Sequence, residues 1–519
     1  MSRLRAAVFA ALFIFGMAPM AVAQDVTLTS RDGAVEISGT ILGHDGEFFR
    51  LDTVYGELTV DASGVLCEGP GCPNLDDYVA ELAISGAESM GRILIPALIE
   101  TYALRSGLEW VRRDADNQNF TYVLKDKASA KTVARFAIRL GTTDEGFADL
   151  LANEADIAMA LREIRPQEAR LAHEAGMGEL RGRGRSRVLA LDALVAVVAP
   201  GNPISAITLP ELAGVYAGRI DNWQLLGGPD APISVHLRDS KSGLGQAVED
   251  RLLVPLGLTL ASGVTRHSDS DDLVAAVMAD PFGIGVTSFS EVGNTAPMVL
   301  TGHCGFSLEA SRRTVKTEDY PLTSPMFLYL PARRLPKLVR EFLTYTRSHS
   351  AQLVIRRAGF VDQVPEEISL NDQGNRLANA IARAGPEIGL EELHRMVGRM
   401  ARVKRLSTTF RFEAGSARLD AQSRSNVQQL AHALEAGQYD TRRLLFVGFS
   451  DGEGAAKANQ EIALRRADAV RIAVVAAAKT ANLDRLILEV DAFGEAMPMA
   501  CDDSDWGRQV NRRVEVWVQ

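Results

Sequence analysis

The chain has 519 residues, too many for one hydrophobic core, so several domains are required. Apolar residues at 46% and charged residues at 24% exclude wholesale disorder, a collagen-like repeat and a polytopic membrane protein. The formal net charge of minus 10, from 56 Lys and Arg against 66 Asp and Glu, disfavours a general nucleic-acid binder, which needs a basic footprint to displace phosphate counterions.

At the N-terminus, Arg3 and Arg5 precede an apolar stretch from Ala6 to Met17, and Ala21-Val22-Ala23 follows. A basic start, a short apolar run and an A-x-A-like site predict a secretory signal peptide over residues 1–23. Gly16 and Pro19 interrupt a run already short for a membrane span, and no Cys near the cleavage point offers a lipid anchor. Removing Arg3 and Arg5 takes the 56 basic residues to 54 against the same 66 acidic ones, net minus 12. In an oxidising compartment, Cys67 and Cys72, bracketing the turn-forming Glu68-Gly69-Pro70-Gly71, are predicted to form a local disulfide. Cys304 and Cys501 receive no pairing from sequence, and no second ligand pair near Cys67 and Cys72 supports a metal site.

Residues 24–75 alternate apolar and polar side chains, as in Val35-Glu36-Ile37-Ser38, and Asp32-Gly33, Asp45-Gly46 and Tyr55-Gly56 punctuate the runs. Short strands joined by tight turns follow, a small β domain with no evident chemistry. Over residues 76–361 helical patterns such as Leu94, Leu98 and Tyr102 alternate with strand-like runs such as Leu194 to Val198, predicting an α/β domain large enough for two lobes. Residues 362–406 read as a linker containing one helix around Leu390 to Val397. Residues 407–519 alternate strand and helix as a β/α sandwich.

The C-terminal segment carries Phe412, Gly415-Ser416 and Leu419, then Gly448 to Asp451, Asn459, Arg466-Ala467, Gly494-Glu495 with Pro498, and Asn511 to Glu515. Asp451 ends a predicted strand and Arg466 lies on the next helix, so a carboxylate and a guanidinium can face one another across a shallow pocket and hold a zwitterion. These ordered motifs resemble the OmpA-like peptidoglycan-binding domain. The resemblance implies that Asp451 and Arg466 hold the diaminopimelate of the stem peptide, with Asn459 beside them. Phe449, where His is common, and Ile462-Ala463, where Leu-Ser is common, depart from the pattern. Arg465, Arg512 and Arg513 read as surface or fold-supporting charges.

In the central domain a predicted strand ends near Leu237, followed by Arg238, Ser240, Ser242 and Gly243 at the start of a helix, an arrangement of hydroxyls and backbone N–H groups suited to an anion or, equally, to a plain N-cap. Together with Asp156-Ile157-Ala158, Gly201-Asn202-Pro203, Gly218 to Trp223, Phe282 to Val286 and Tyr320 to Thr323, this region resembles the phosphate-binding, PstS-like branch of type II periplasmic solute-binding proteins. The resemblance implies an anion held by Arg238, Ser242 and Gly243. Ser240, Thr142, Thr143 and Arg162 are further candidates, with an N-cap and a surface charge as the alternatives for the threonines and Arg162. Leu244 replaces the usual Thr, Leu161 the usual Asp or Ser, and Glu88 is unhelpful to an anion, so the ligand is phosphate, another oxyanion, or none in a repurposed cleft.

No H-x-x-x-H, S-x-x-K or P-loop occurs, and the single G-x-S-x-G, Gly448 to Gly452, coincides with the wall-binding motif. No enzyme, cofactor or metal is therefore expected. The combined reading is a multidomain α/β protein: a small β unit, a two-lobed type II periplasmic-binding-protein fold and an OmpA-like β/α sandwich. Its expected setting is the periplasm of a Gram-negative bacterium, at the peptidoglycan and outer membrane. Its expected partners are peptidoglycan, a small anion such as phosphate, and an ABC transporter permease; the alternative is an envelope structural protein that has lost its solute.

Overall fold

A computed structural model describes residues 25–519 except 183, 374–375, 384–386, 414–415, 417 and 503. The expected leader, 1–23, and Gly415 lie outside the described residues. Two compact units result: one runs through Ala80 and adds Arg334–Leu338, and the other holds Glu81–Arg333 and Val339–Gln519.

The smaller unit is a five-stranded antiparallel sheet, in spatial order Gly56–Asp61, Phe48–Thr53, Glu36–His44, Asp25–Ser30 and Val65–Glu68. Alternation places Val26, Leu28, Phe49 and Leu51 on one buried face. Gly33 and Gly46 take positive φ at two of the turns, which favours glycine there. Cys67 and Cys72 are joined by a disulfide, with Cα atoms 5.8 Å apart.

In the larger unit one mixed sheet runs through both lobes of the central region. Its first lobe contains Ala80–Ala87, Thr132–Gly141 and Ile157–Ala160; its second contains Ser234–Arg238, Thr265–His267 and Gly283–Ser288. The long strand Ser186–Val198 joins them: residues 186–193 pair with Thr323–Tyr329, and residues 194–198 with Gly283–Ser288. Its burial from Val188 to Val198 matches a composition of Val, Ala and Leu interrupted only by Asp192, whose carboxylate accepts from Ser288 and Ser290.

The C-terminal sheet is ordered Glu367–Ile368, Lys404–Arg411, Arg513–Val518, Arg443–Phe449 and Ile487–Gly494. Helices Ala421–Glu435 and Ala456–Ala477 cover one face through Leu430, Leu434, Val470 and Val474. The stretch expected to be a linker is instead part of this domain. Glu367–Ile368 extends its sheet, and two helices, Arg376–Arg383 and Leu390–Met400, cover the second face, where Leu393, Met396 and Met400 pack with Leu445, Val447 and Trp517. A helix with one apolar stripe must bury it, and the sheet's second face is where it does so.

The solute-binding-type region and the C-terminal domain are also joined directly. Arg405 donates to Asp319 at 2.6 and 3.0 Å and lies 3.4 Å from Glu515; Arg513 donates to Glu515 at 2.6 Å, and Arg376 also contacts it. Glu515 and Arg513 have no exposure. Burial alone would raise the Glu515 carboxyl, but Arg376, Arg405 and Arg513 hold it far below the usual carboxylate range. A disulfide joins Cys304 to Cys501 across the same boundary, 197 residues apart. No helix among the described residues is long and apolar enough to cross a membrane.

Replacing Cys304 and Cys501 together by Ser should lower the unfolding free energy by about 2–4 kcal/mol, seen as a lower urea midpoint. Asp319→Ala, which removes the bidentate carboxylate from the buried Arg405 and leaves it Glu515 and Thr409, should cost about 3 kcal/mol. Because the Glu515 pKa is depressed in the folded state, its contribution is present above the ordinary carboxylate range and is lost as pH falls; Glu515→Gln should flatten that acid limb.

Candidate functional site

Two sets of expected site residues occupy different parts of the larger unit. At the Gly448–Asp451 motif, strand Arg443–Phe449 delivers Asp451 just past its C-terminal end, and helix Ala456–Ala477 carries Asn459 and Arg466. Gly448 is required by the approach of that helix, since a Cβ there would lie 2.0 Å from the Ala463 carbonyl oxygen. Gly494, at φ +51, gives the same helix room beside Gln460.

The charge pairing differs from the expected one. Arg512 donates to Asp451 Oδ2, whereas Arg466 has no hydrogen-bond or ion-pair partner among the described residues; its guanidinium lies 5.2 Å from the Phe412 ring centroid. Burial lowers the Arg466 pKa and Arg512 adds to that effect, while Asp451 opposes it. A partly buried guanidinium without an anion carries a desolvation cost that an incoming carboxylate relieves. Asn459 donates to Glu495 at 2.9 Å, and the Gly452 N–H donates to Asp502 at 2.8 Å, so both acids are tied to the rim of the site. Arg512, read from sequence as a supporting charge, orients the acid, and Arg513 is a buried partner of Glu515.

In the central region strand Ser234–Arg238 ends on Arg238, buried at 7% exposure. This arginine is fully engaged on both outer nitrogens: it donates to Glu88 at 3.0 Å, to Ser270 Oγ at 2.9 Å and to the Ser268 carbonyl at 2.9 Å. Glu88 comes from the other lobe, just past strand Ala80–Ala87, and its second oxygen accepts from Arg92 at 2.6 Å. Arg238 therefore already has a carboxylate.

The other candidates except Ser240 and Gly243 are engaged as well. Ser242 caps helix Gly243–Val248, accepting from the Gly245 N–H at 3.0 Å and donating to the Asp239 carbonyl at 2.7 Å. Ser240 is exposed. A Cβ on Gly243 would lie 3.5 Å from Ala87 Cα and from Leu161 Cδ1, so the two lobes meet here. Thr142 caps helix Thr143–Leu151 in a reciprocal box with Glu145. The Thr143 N–H donates to Gln246 Oε1 at 3.1 Å, and Thr143 Oγ1 accepts from the Leu161 N–H at 3.1 Å. Arg162 donates to Glu168 at 2.7 and 2.9 Å and to Asp144, and lies 3.6 Å from Asp250 of the second lobe. Arg165 donates to Asp250 at 3.0 Å.

Sequence reading brings Arg238, Ser242, Gly243, Thr143 and Arg162 to one cleft, but it missed that Glu88, Gln246 and Asp250 close that cleft from within. The one legible signal was the acidic residue at position 88, where an anion site should avoid one.

Residues 118–350 match the PBP superfamily domain and residues 411–512 the OmpA family. This chain joins a solute-binding-type domain to an OmpA domain. The Phosphate-binding protein PstS of Borreliella burgdorferi is 25% identical over 188 residues, 35% of this chain and 67% of the relative. Protein SphX of Synechococcus elongatus is 28% identical over 231 residues, 42% of this chain and 66% of the relative. The chain thus spans about two thirds of the length of these relatives. Among solved structures, an ABC-type phosphate transport receptor from Vibrio cholerae aligns with a TM-score of 0.42 at 20% identity, over 54% of this chain and 99% of that one. The peptidoglycan-associated lipoprotein from Burkholderia pseudomallei aligns with a TM-score of 0.19 at 24% identity, over 22% of this chain and 90% of that one.

If Glu88 is the clamp, Glu88→Ala should loosen the lobes and raise amide hydrogen exchange in residues 238–248 and 142–151 by about tenfold or more, with the C-terminal domain unaffected. Unchanged exchange in those segments would show that closure does not depend on it.

Proposed function

We propose that this is an extracytoplasmic, peptidoglycan-associated envelope protein whose solute-binding-type module is held closed by its own Glu88 carboxylate rather than by free phosphate. The observation that carries the wall association is Arg466, partly buried and without an anionic partner among the described residues, beside an Asp451 whose Oδ2 accepts from Arg512. That geometry supports recognition of a zwitterionic amino-acid centre: the ligand carboxylate on Arg466, the ligand ammonium on the remaining oxygen of Asp451. Diaminopimelate in the peptidoglycan stem has such a centre.

The Glu88–Arg238 pair supports the second half of the proposal. A free oxyanion reaching Arg238 must displace a carboxylate tethered in the same chain, whose effective concentration is that of an intramolecular partner. Leu244 and Leu161 also present no hydroxyl or carboxylate to replace the anion's lost hydration. The receptor reading, in which phosphate or another small oxyanion is handed to an ABC permease, is supported by the similarity to phosphate-binding relatives and by the nearness of Arg238 and Ser242 to the contacts between the lobes. It requires Arg238 to exchange Glu88 for solute.

Purified peptidoglycan should sediment the wild-type protein, and Asp451→Ala and Arg466→Ala should each weaken that binding by about 10–100-fold, the loss of one charge-assisted contact. Wild-type sedimentation by both variants would refute the assignment. Titration calorimetry with phosphate should give no heat with the wild-type chain and measurable binding with Glu88→Gly; saturable heat with the wild type would establish the receptor reading instead.

A further inference from the structure

Two adjoining cavities lie along the seam between the solute-binding-type region and the C-terminal domain, of about 550 and 270 Å³. They share Arg251, Pro321, Trp506 and Gln509 as lining. The larger is walled mainly by apolar side chains, among them Leu256, Leu300, Phe306 and Leu308, and the smaller is ringed by charged ones. Their combined form, an apolar chamber opening onto a polar one, is that of a site for a small amphipathic molecule, and the larger volume alone is in the range of small-molecule pockets.

Arg251 stands where the two chambers meet. It is set there by a wide helical turn, Glu249–Leu253, continuing helix Gly243–Val248; such insertions re-aim side chains. Its guanidinium has no hydrogen-bond or ion-pair partner among the described residues. The surrounding charges are already committed. Asp250 is bound by Arg162 and Arg165, Asp505 by Arg508, and Glu318 by Arg411 and Asn426. Glu163 accepts from the Ala421 N–H. Burial pushes the Glu318 carboxyl up to about 7 against the opposing pull of Arg411, and its hydrogen-bond partners are Arg411 and Asn426 rather than Arg251; Asp420, also in the smaller chamber, accepts from the Ser423 N–H. What remains is a cation that makes no hydrogen bond or ion pair among the described residues, with Glu318 the acid that pulls on it through space, facing an apolar chamber.

We propose that this seam binds an amphipathic monoanion, its single carboxylate or equivalent oxyanion head on Arg251 and its apolar body in the chamber lined by Leu300 and Phe306. The head gains a charge-assisted hydrogen bond away from bulk water, and the body removes apolar wall from solvent. Both modules contribute lining, so a bound molecule also bridges them.

Dodecanoate, used as the probe with the full chain, should bind with one-to-one stoichiometry by titration calorimetry. Arg251→Gln should weaken dodecanoate at least tenfold while leaving the uncharged dodecanol unchanged. Leu300→Trp, which fills the larger chamber, should abolish binding of both. Absence of saturable dodecanoate binding to the wild type, unchanged dodecanoate affinity in Arg251→Gln, or full binding by Leu300→Trp would overturn the proposal.

Discussion

The architecture of the larger unit depends on a buried alternation of charge that crosses from one module to the other: Asp319, Arg405, Glu515, and the flanking Arg376 and Arg513. None of these groups could be buried alone without a large desolvation cost, so each fixes the position of the next. Because Arg405 and Glu515 lie on neighbouring strands of the wall-binding sheet while Asp319 belongs to the solute-binding-type region, the network sets the register between the two modules as well as within the sheet. The second face of that sheet is then closed by Met396 and Met400, which pack with Trp517 of the sheet.

Charge pairing also governs the cleft. Glu88 with Arg238, Gln246 with Thr143, and Asp250 with Arg162 and Arg165 all connect the lobes through groups of this chain. The fold of a solute-binding protein is retained, with its interlobe contacts supplied from within. At the Asp451 motif the arrangement is opposite: Arg466 has no hydrogen-bond or ion-pair partner among the described residues, which is what the proposed ligand carboxylate would use.

Local pattern made much of this legible. The alternation at Val35 to Ser38, the α/β rhythm of the central region and the ordered motifs around Asp451, Arg466 and Asn511 to Glu515 identify the fold classes directly. The amphipathic spacing of Leu393, Met396 and Met400 announced a buried helix face, but not which surface would cover it, because periodicity records burial without naming a partner. Pairings between distant residues were beyond reach for the same reason. Cys304 with Cys501, Glu88 with Arg238, and Arg512 rather than Arg466 with Asp451 are decided by tertiary placement, and nothing in the residues flanking Arg251 marks it as unpaired.

The Cys304–Cys501 bond has a mechanical meaning. Cys501 lies in the same loop as Asp502, which holds the Gly452 N–H beside Asp451, so a pull exerted at that rim enters the protein close to a covalent cross-link. Tension passing from there to Cys304 bypasses the 197-residue separation along the chain, including the helices Arg376–Arg383 and Leu390–Met400. From Asp502 onward the path is short and covalent, entered through one hydrogen bond, and the apolar packing that covers the second face of the C-terminal sheet lies outside it.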